Sequence, residues 1–176
     1  MSTATPTTWP SLSPLLLFIV GIIVLLGLAA CDARRIAELE EGVATEADVR
    51  SRFGEPEKIW DGANGARIFE YNRQPEGTQN YMITIGIDGK MSALRQVLTP
   101  ANFATIQPGM MMEEVRKLLG KPMKITAFAL KNTHHYDWRY ADGPNASDRK
   151  IFTVVFNDDL RVLSTGSVDD QSLKGN

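Results

Sequence analysis

The chain has 176 residues, with 19 Lys+Arg against 21 Asp+Glu, two histidines and one cysteine, giving a net charge of −2. A lone cysteine excludes an intramolecular disulfide, so packing must hold the fold. A near-neutral balance without a basic block gives no electrostatic support to nucleic-acid binding.

The charges are unevenly placed. Residues 1–30 carry none, and Leu15 to Ala30 form an apolar run of 16 residues. A signal-peptide core needs about 7–15 apolar residues and a membrane-spanning helix roughly 20, so length alone leaves both open. The run ends in Leu28-Ala29-Ala30-Cys31, a bulky residue, two small ones and a cysteine. This is the lipobox pattern of bacterial lipoproteins, in which the thiol becomes the attachment point for diacylglycerol. Cleavage before Cys31 leaves a 146-residue mature chain, long enough for one sizeable domain or two small ones. The leader lacks the positive residues usual at its start, and Arg34 and Arg35 follow the run. An uncleaved span with a cytoplasmic C-terminal side is therefore the alternative.

After the seam, the chain repeats itself. Gly42–Pro56, "GVATEADVRSRFGEP", matches Gly109–Pro122, "GMMMEEVRKLLGKP", with one residue inserted and an offset of 66 from Val49 onward. Farther on, Ile83–Met91 matches Phe152–Leu160 at an offset of 69. Short apolar pairs, Ile36/Leu39 and Phe103/Ile106, predict a small helix ahead of each copy. In the first copy Thr45 is a natural N-cap, and Val49 and Phe53 share one helical face. Gly54 and Pro56 stop the helix. Asn64-Gly65 then turns Lys58–Trp60 into Arg67–Tyr71. Tyr81 to Ile87 alternates with period two, and Asp88-Gly89 predicts a tight hairpin into Lys90–Val97.

In the second copy Met111 falls on the cap position and caps poorly, while Met110 is placed to staple onto Val115. Val115 and Leu119 form the apolar face, with Gly120 and Pro122 as the stop. Asn132 turns the chain into Thr133–Tyr140, and Phe152, Val154 and Phe156 mark a strand apolar enough on both faces to be central. The predicted fold is α+β: two tandem repeats, each of two short helices packed on an antiparallel β-meander of three to four strands. The expected divisions are a leader at 1–30, repeats at 31–99 and 100–166, and a polar tail at 167–176. A single repeat of this size is marginal by itself, so the two should share a sheet edge or a helix interface.

Candidate chemistry is sparse. His134 and His135 are adjacent on a strand and point to opposite faces, so they cannot chelate one metal. Met110-Met111-Met112 has no His or Cys nearby to complete a copper site and reads as a helix-entry core patch. Asp137, Asp142, Asp158 and Asp159 sit where turns and strand ends use aspartate. Neither a phosphate-binding loop nor a nucleophile signature stands out, so the expectation is a non-enzymatic protein without cofactor or metal. The aromatic row Tyr136, Trp138, Tyr140 alternates on one strand face. It is either core beneath the helices or a partner-binding surface.

The lipobox, followed by Gly109-Met110 … Val115-Arg116 … Leu119-Gly120-Lys121-Pro122 and a looser first copy at Gly42–Pro56, resembles the BamE (SmpA/OmlA) family of outer-membrane lipoproteins. Two such units in tandem resemble the β-lactamase-inhibitor protein architecture. The resemblance implies an accessory or scaffold for assembling β-barrel proteins into the outer membrane. It also implies binding to barrel-assembly subunits and anionic phospholipid headgroups, and lipidation, including palmitate, at Cys31. The alternative is a periplasmic inhibitor or sensor module for a soluble enzyme or cell-wall fragment. Asp32 is the sorting position. The family points to the periplasmic face of the outer membrane, whereas Asp after the lipidated cysteine is an inner-membrane retention signal in some bacteria.

Overall fold

The computed structural model describes Ile36, residues 38–145 and residues 148–173. Cys31, Asp32, the apolar leader and most of the helix expected around Ile36 and Leu39 lie outside those residues. The chain divides into two compact units, Met1–Leu39 and Glu40–Asn176, and the architecture of the second follows. No helix among the described residues is long and apolar enough to cross a membrane.

The first repeat opens with α1 (Glu46–Phe53), capped as its sequence predicts. The Asp48 N–H donates to Thr45 Oγ1 at 3.3 Å, and the Thr45 N–H donates back to Asp48 Oδ2 at 2.8 Å. Four strands follow, β1 (Lys58–Asp61), β2 (Arg67–Asn72), β3 (Asn80–Ile85) and β4 (Met91–Gln96), in an antiparallel meander of that order. The second repeat begins with α2 (Pro100–Phe103) and α3 (Met112–Leu119). A second meander follows: β5 (Lys124–Phe128), β6 (Thr133–Ala141), β7 (Arg149–Asn157) and β8 (Val162–Asp169). Met111 provides no side-chain cap for α3; Glu114 instead accepts the Met111 N–H at 2.7 Å.

Asn64 and Gly65 both take positive φ, 54° and 77°, the conformation a tight turn between β1 and β2 requires. The β3–β4 hairpin turns tightly at Asp88-Gly89, as expected. Gly86 and Lys90 close it, with Gly89 at φ 76° ending a three-residue loop. Asn157 and Arg161 close the equivalent loop of the second repeat, where Leu160 takes φ 55°.

The bridges Thr45–Lys90 and Met111–Arg161 fix the equivalence of the repeats. They keep the helix offset of 66 and correct the hairpin offset from 69 to 71, the step from Lys90 to Arg161. A two-residue error leaves every side chain on its proper face, and for that reason the hydrophobic pattern did not expose it. The polar tail expected from Ser167 is also corrected: β8 continues to Asp169, and Asp170 is buried.

Each repeat has its own core. Val49 and Phe53 of α1 pack with Phe69, Tyr71, Ile83, Ile85 and Met91, all buried. Phe53 approaches Tyr71 with ring centroids 5.0 Å apart. In the second repeat Phe103 stacks on Phe152 at 4.1 Å, within a cluster that includes Val115, Leu119, Trp138, Tyr140, Val154 and Phe156. Full burial of each such side chain contributes roughly 1.5–3 kcal/mol. The repeats use one locking device. The Tyr71 hydroxyl donates to the Gly54 carbonyl at 3.1 Å, and Trp138 Nε1–H donates to the Gly120 carbonyl at 3.0 Å. In each, an aromatic tip from the second strand satisfies the backbone where the helix ends.

Candidate partner-binding surface

The repeat motif Val115-Arg116-Lys117-Leu118-Leu119-Gly120-Lys121-Pro122 does more than end a helix. Val115 and Leu119 turn into the second core, fully buried. The end of α3 meets the first repeat instead. It packs on the face of the first sheet that carries Trp60, Glu70, Asn72 and Asn80, opposite the face that buries Phe69 and Tyr71. The alternation of β2 is broken for this reason: Phe69, Glu70 and Tyr71 are all buried, in sequence. The expected alternative of a shared sheet edge is not used, since the two sheets are separate.

Glu70 is the centre of this seam, with no exposed surface. Its Oε2 accepts from Trp60 Nε1–H at 2.9 Å. Its Oε1 accepts from the Lys121 N–H and the Asn72 amide, both at 2.9 Å, and from Arg116 Nη2 at 3.3 Å. A buried carboxylate is tolerable only with such a complete set of donors. Asn80 Nδ2 donates to the Leu119 carbonyl at 2.8 Å and the Lys121 carbonyl at 3.2 Å. Gly120, at φ 76°, fits beneath these amides because a Cβ there would lie 2.5 Å from Asn72 Oδ1 and 3.0 Å from Asn80 Nδ2. Lys121 Nζ pairs with Glu57 Oε1 at 2.7 Å. Burial pushes the Glu57 carboxyl up. The hydrogen bonds from Lys121 and Asn72, with the charges of Lys121 and Arg116, outweigh burial and hold it below its ordinary value.

A second bracket joins the repeats farther along. Gln74 donates through Nε2 to the Arg139 carbonyl at 2.7 Å and accepts the Arg139 N–H through Oε1 at 3.3 Å. Arg139 pairs with the buried Asp170 at 2.5 Å. Burial raises the Asp170 carboxyl, and its Ser172 and Arg139 partners more than offset that and lower it.

Beside the seam, Met112, Arg116, Lys121, Pro122, Ile125, Tyr136 and Trp138 enclose a pocket of about 150 Å³. Ile125 is 55% exposed on β5, an edge strand. The lining is apolar with two cations at the rim and contains neither a histidine nor a serine or cysteine nucleophile.

The aromatic row divides. Trp138 and Tyr140 are 1% and 4% exposed and belong to the core, the first of the two readings of the row, so they are not a partner-binding surface. Tyr136 stays half-buried and lines the pocket, where the Trp138 ring forms part of the wall. His134 contacts Asp158 at 3.3 Å, and His135 packs on the Phe128 ring with centroids 4.4 Å apart. Met110 and Met112 pack against the second core, whereas Met111 is exposed. Asp137 accepts from Thr153, and Asp142 pairs with Lys150, both at 2.6 Å.

Fold and surface define a tandem α+β module with a polar seam. Residues 96–166 match the family model of the outer membrane protein assembly factor BamE domain. That span runs from the last residue of β4 into β8, so the match covers the second repeat. No curated protein matches the chain. Among solved structures it is similar to a DUF4309 family protein, YjgB, from Bacillus subtilis, at 21% identity over 76% of this chain and 83% of that one, with a TM-score of 0.30. A putative β-lactamase inhibitor protein from Streptococcus mutans is similar at 12% identity over 72% and 83%, also at 0.30. An extracellular protein containing a SCP domain from Bacillus anthracis shows 14% identity over 79% of this chain and 47% of that one, at 0.30.

Proposed function

We propose that the protein is a lipid-anchored, non-enzymatic envelope component that serves as an accessory in assembling β-barrel proteins into the outer membrane. The match of residues 96–166 to the BamE domain carries this reading. The Leu28-Ala29-Ala30-Cys31 lipobox supplies the anchor, and two or three acyl chains at roughly 0.8 kcal/mol per buried methylene make attachment stable. The pocket at Arg116, Lys121, Ile125 and Tyr136 is the contact proposed for a barrel-assembly subunit. The exposed cations Lys117 and Lys124 are available to anionic phospholipid headgroups. The BamE-domain match favours the periplasmic face of the outer membrane, and Asp32, the sorting position, is the feature that favours the inner membrane instead.

Intact-mass measurement of membrane-extracted protein tests the anchor. A lipidated chain beginning at Cys31, absent in Cys31→Ala, is the expected result. Full-length mass in the membrane overturns it and favours an uncleaved span.

A further inference from the structure

The pocket beside the seam has room for one ring and a rim whose charge is not balanced. Its volume of about 150 Å³ matches that of an apolar cavity able to hold benzene. Tyr136 and Trp138 form one wall, with ring centroids 6.4 Å apart. Ile125, the register partner of Tyr136, stands 55% exposed beside them. Such walls favour an aromatic guest, which gains ring–ring contact beyond the area it buries. A concave site takes a side chain that protrudes, whereas contact with a lipid surface calls for apolar residues that protrude from the protein itself.

Four cations gather along one side of this pocket. Arg116 and Lys121 line it. The Arg116 guanidinium also stands 5.9 Å from the Trp60 ring, over which Lys58 Nζ lies at 3.6 Å and Lys117 Nζ at 5.3 Å. Facing them are two carboxylates, Glu57 and Glu70. Lys121 pairs closely with Glu57, at 2.7 Å. Arg116 reaches Glu70 only at 3.3 Å and Glu57 at 3.9 Å, and its buried Nε–H has no acceptor. Among the described residues Lys58 and Lys117 are in no ion pair, and Glu113, one turn before Lys117, forms none with it. Positive charge is therefore left over beside the one apolar hollow of the seam.

Building on the reading of this pocket as a subunit contact, we propose that it takes the aromatic side chain of an acidic segment of a partner protein. The ring enters between Ile125 and the Tyr136–Trp138 wall, and flanking carboxylates lie along Arg116, Lys117 and Lys58. The buried ring supplies most of the affinity. The exposed lysines set the preferred charge of the segment and make binding sensitive to salt.

The test titrates the detergent-extracted full chain into a capped pentapeptide, Asp-Asp-Phe-Asp-Asp, whose ring carries a para-fluorine, followed by fluorine NMR. Saturable binding is expected, and the same peptide with Lys in place of Asp should bind at least about tenfold more weakly. Unlabelled Asp-Asp-Phe-Asp-Asp should displace the probe, and its counterpart with Ala in place of Phe should need about tenfold more or worse. Ile125→Glu, which sets a like charge at the ring's entrance, should remove binding. Lys58→Glu combined with Lys117→Glu should weaken it about tenfold and flatten its salt dependence. Unchanged urea midpoints confirm that these surface variants fold, and the peptide series itself needs no variant. Absence of saturable binding, equal binding of the Lys peptide, equal displacement by the Ala peptide, or indifference to both sets of substitutions would each overturn the proposal. Displacement by glycerol phosphate as effective as by the acidic aromatic peptide would assign the cations to lipid headgroups and overturn it too. None of these results touches the barrel-assembly role, which recovery of subunits from cells reads separately.

Discussion

At the scale of single residues, the most consequential side chain is a glutamate that hydrophobic patterning does not mark. Glu70 lies between Phe69 and Tyr71 in a strand whose alternation would send it outward, and it is buried because the second repeat covers that face. Replacing Glu70 with Ala leaves Trp60 Nε1–H without its acceptor, and it takes one acceptor each from the Lys121 N–H, which keeps Asn72 Oδ1, and from Arg116, which keeps Glu57. Breaking a buried charged group in this way costs about 3 kcal/mol, which urea unfolding would read as a lowered midpoint. Tyr71 gives a second prediction. Burial pushes its hydroxyl up to about 12, above its unfolded value of about 10. Its contribution is fully present below pH 10 and is lost as pH rises toward 12. Tyr71→Phe should therefore cost about 1 kcal/mol at neutral pH and flatten the alkaline loss of stability. Thermal unfolding of both proteins from pH 8 to 12 checks it.

The elements show which features are local and which are not. Thr45 capping α1, Gly54 and Gly120 ending helices, and Asn64-Gly65 turning β1 into β2 were all legible, because a few neighbouring residues dictate each one. The register of the second hairpin was legible only to its face, since period two cannot distinguish a shift of 69 from one of 71. The division of the aromatic row was hidden as well: Tyr136 and Trp138 share a strand face, and only the reach of α3 decides which is covered. Gly120 illustrates the same limit. Sequence marks it as a helix stop like Gly54, yet Gly54 has open space around its Cβ position whereas Gly120 is pressed against Asn72 and Asn80. Both need a left-handed φ, so alanine costs each about 1 kcal/mol. Gly120→Ala should be the more destabilising of the two, by at least about 1 kcal/mol more, when both are compared by chemical denaturation. Equal losses would contradict the close packing of the seam.

For the whole molecule, duplication has produced two units with different work. In the first repeat Arg50 pairs with Glu46 of its own helix at 2.9 Å and with nearby Glu55. The equivalent Arg116 reaches across to Glu70 and Glu57. One motif position thus serves its own helix in one repeat and joins the repeats in the other. Only the second repeat carries the match to the BamE domain, and the pocket beside the seam uses that repeat's Arg116, Lys121 and Pro122. The first repeat serves as the platform that fixes the end of α3. The most direct measurement of the proposed role is crosslinking of the full chain in living cells, followed by purification and quantification of barrel-assembly subunits. Recovery of such a subunit, reduced by Ile125→Glu at the pocket and by Cys31→Ala, is the predicted result. Recovery of a soluble hydrolase with no barrel-assembly subunit would contradict the account.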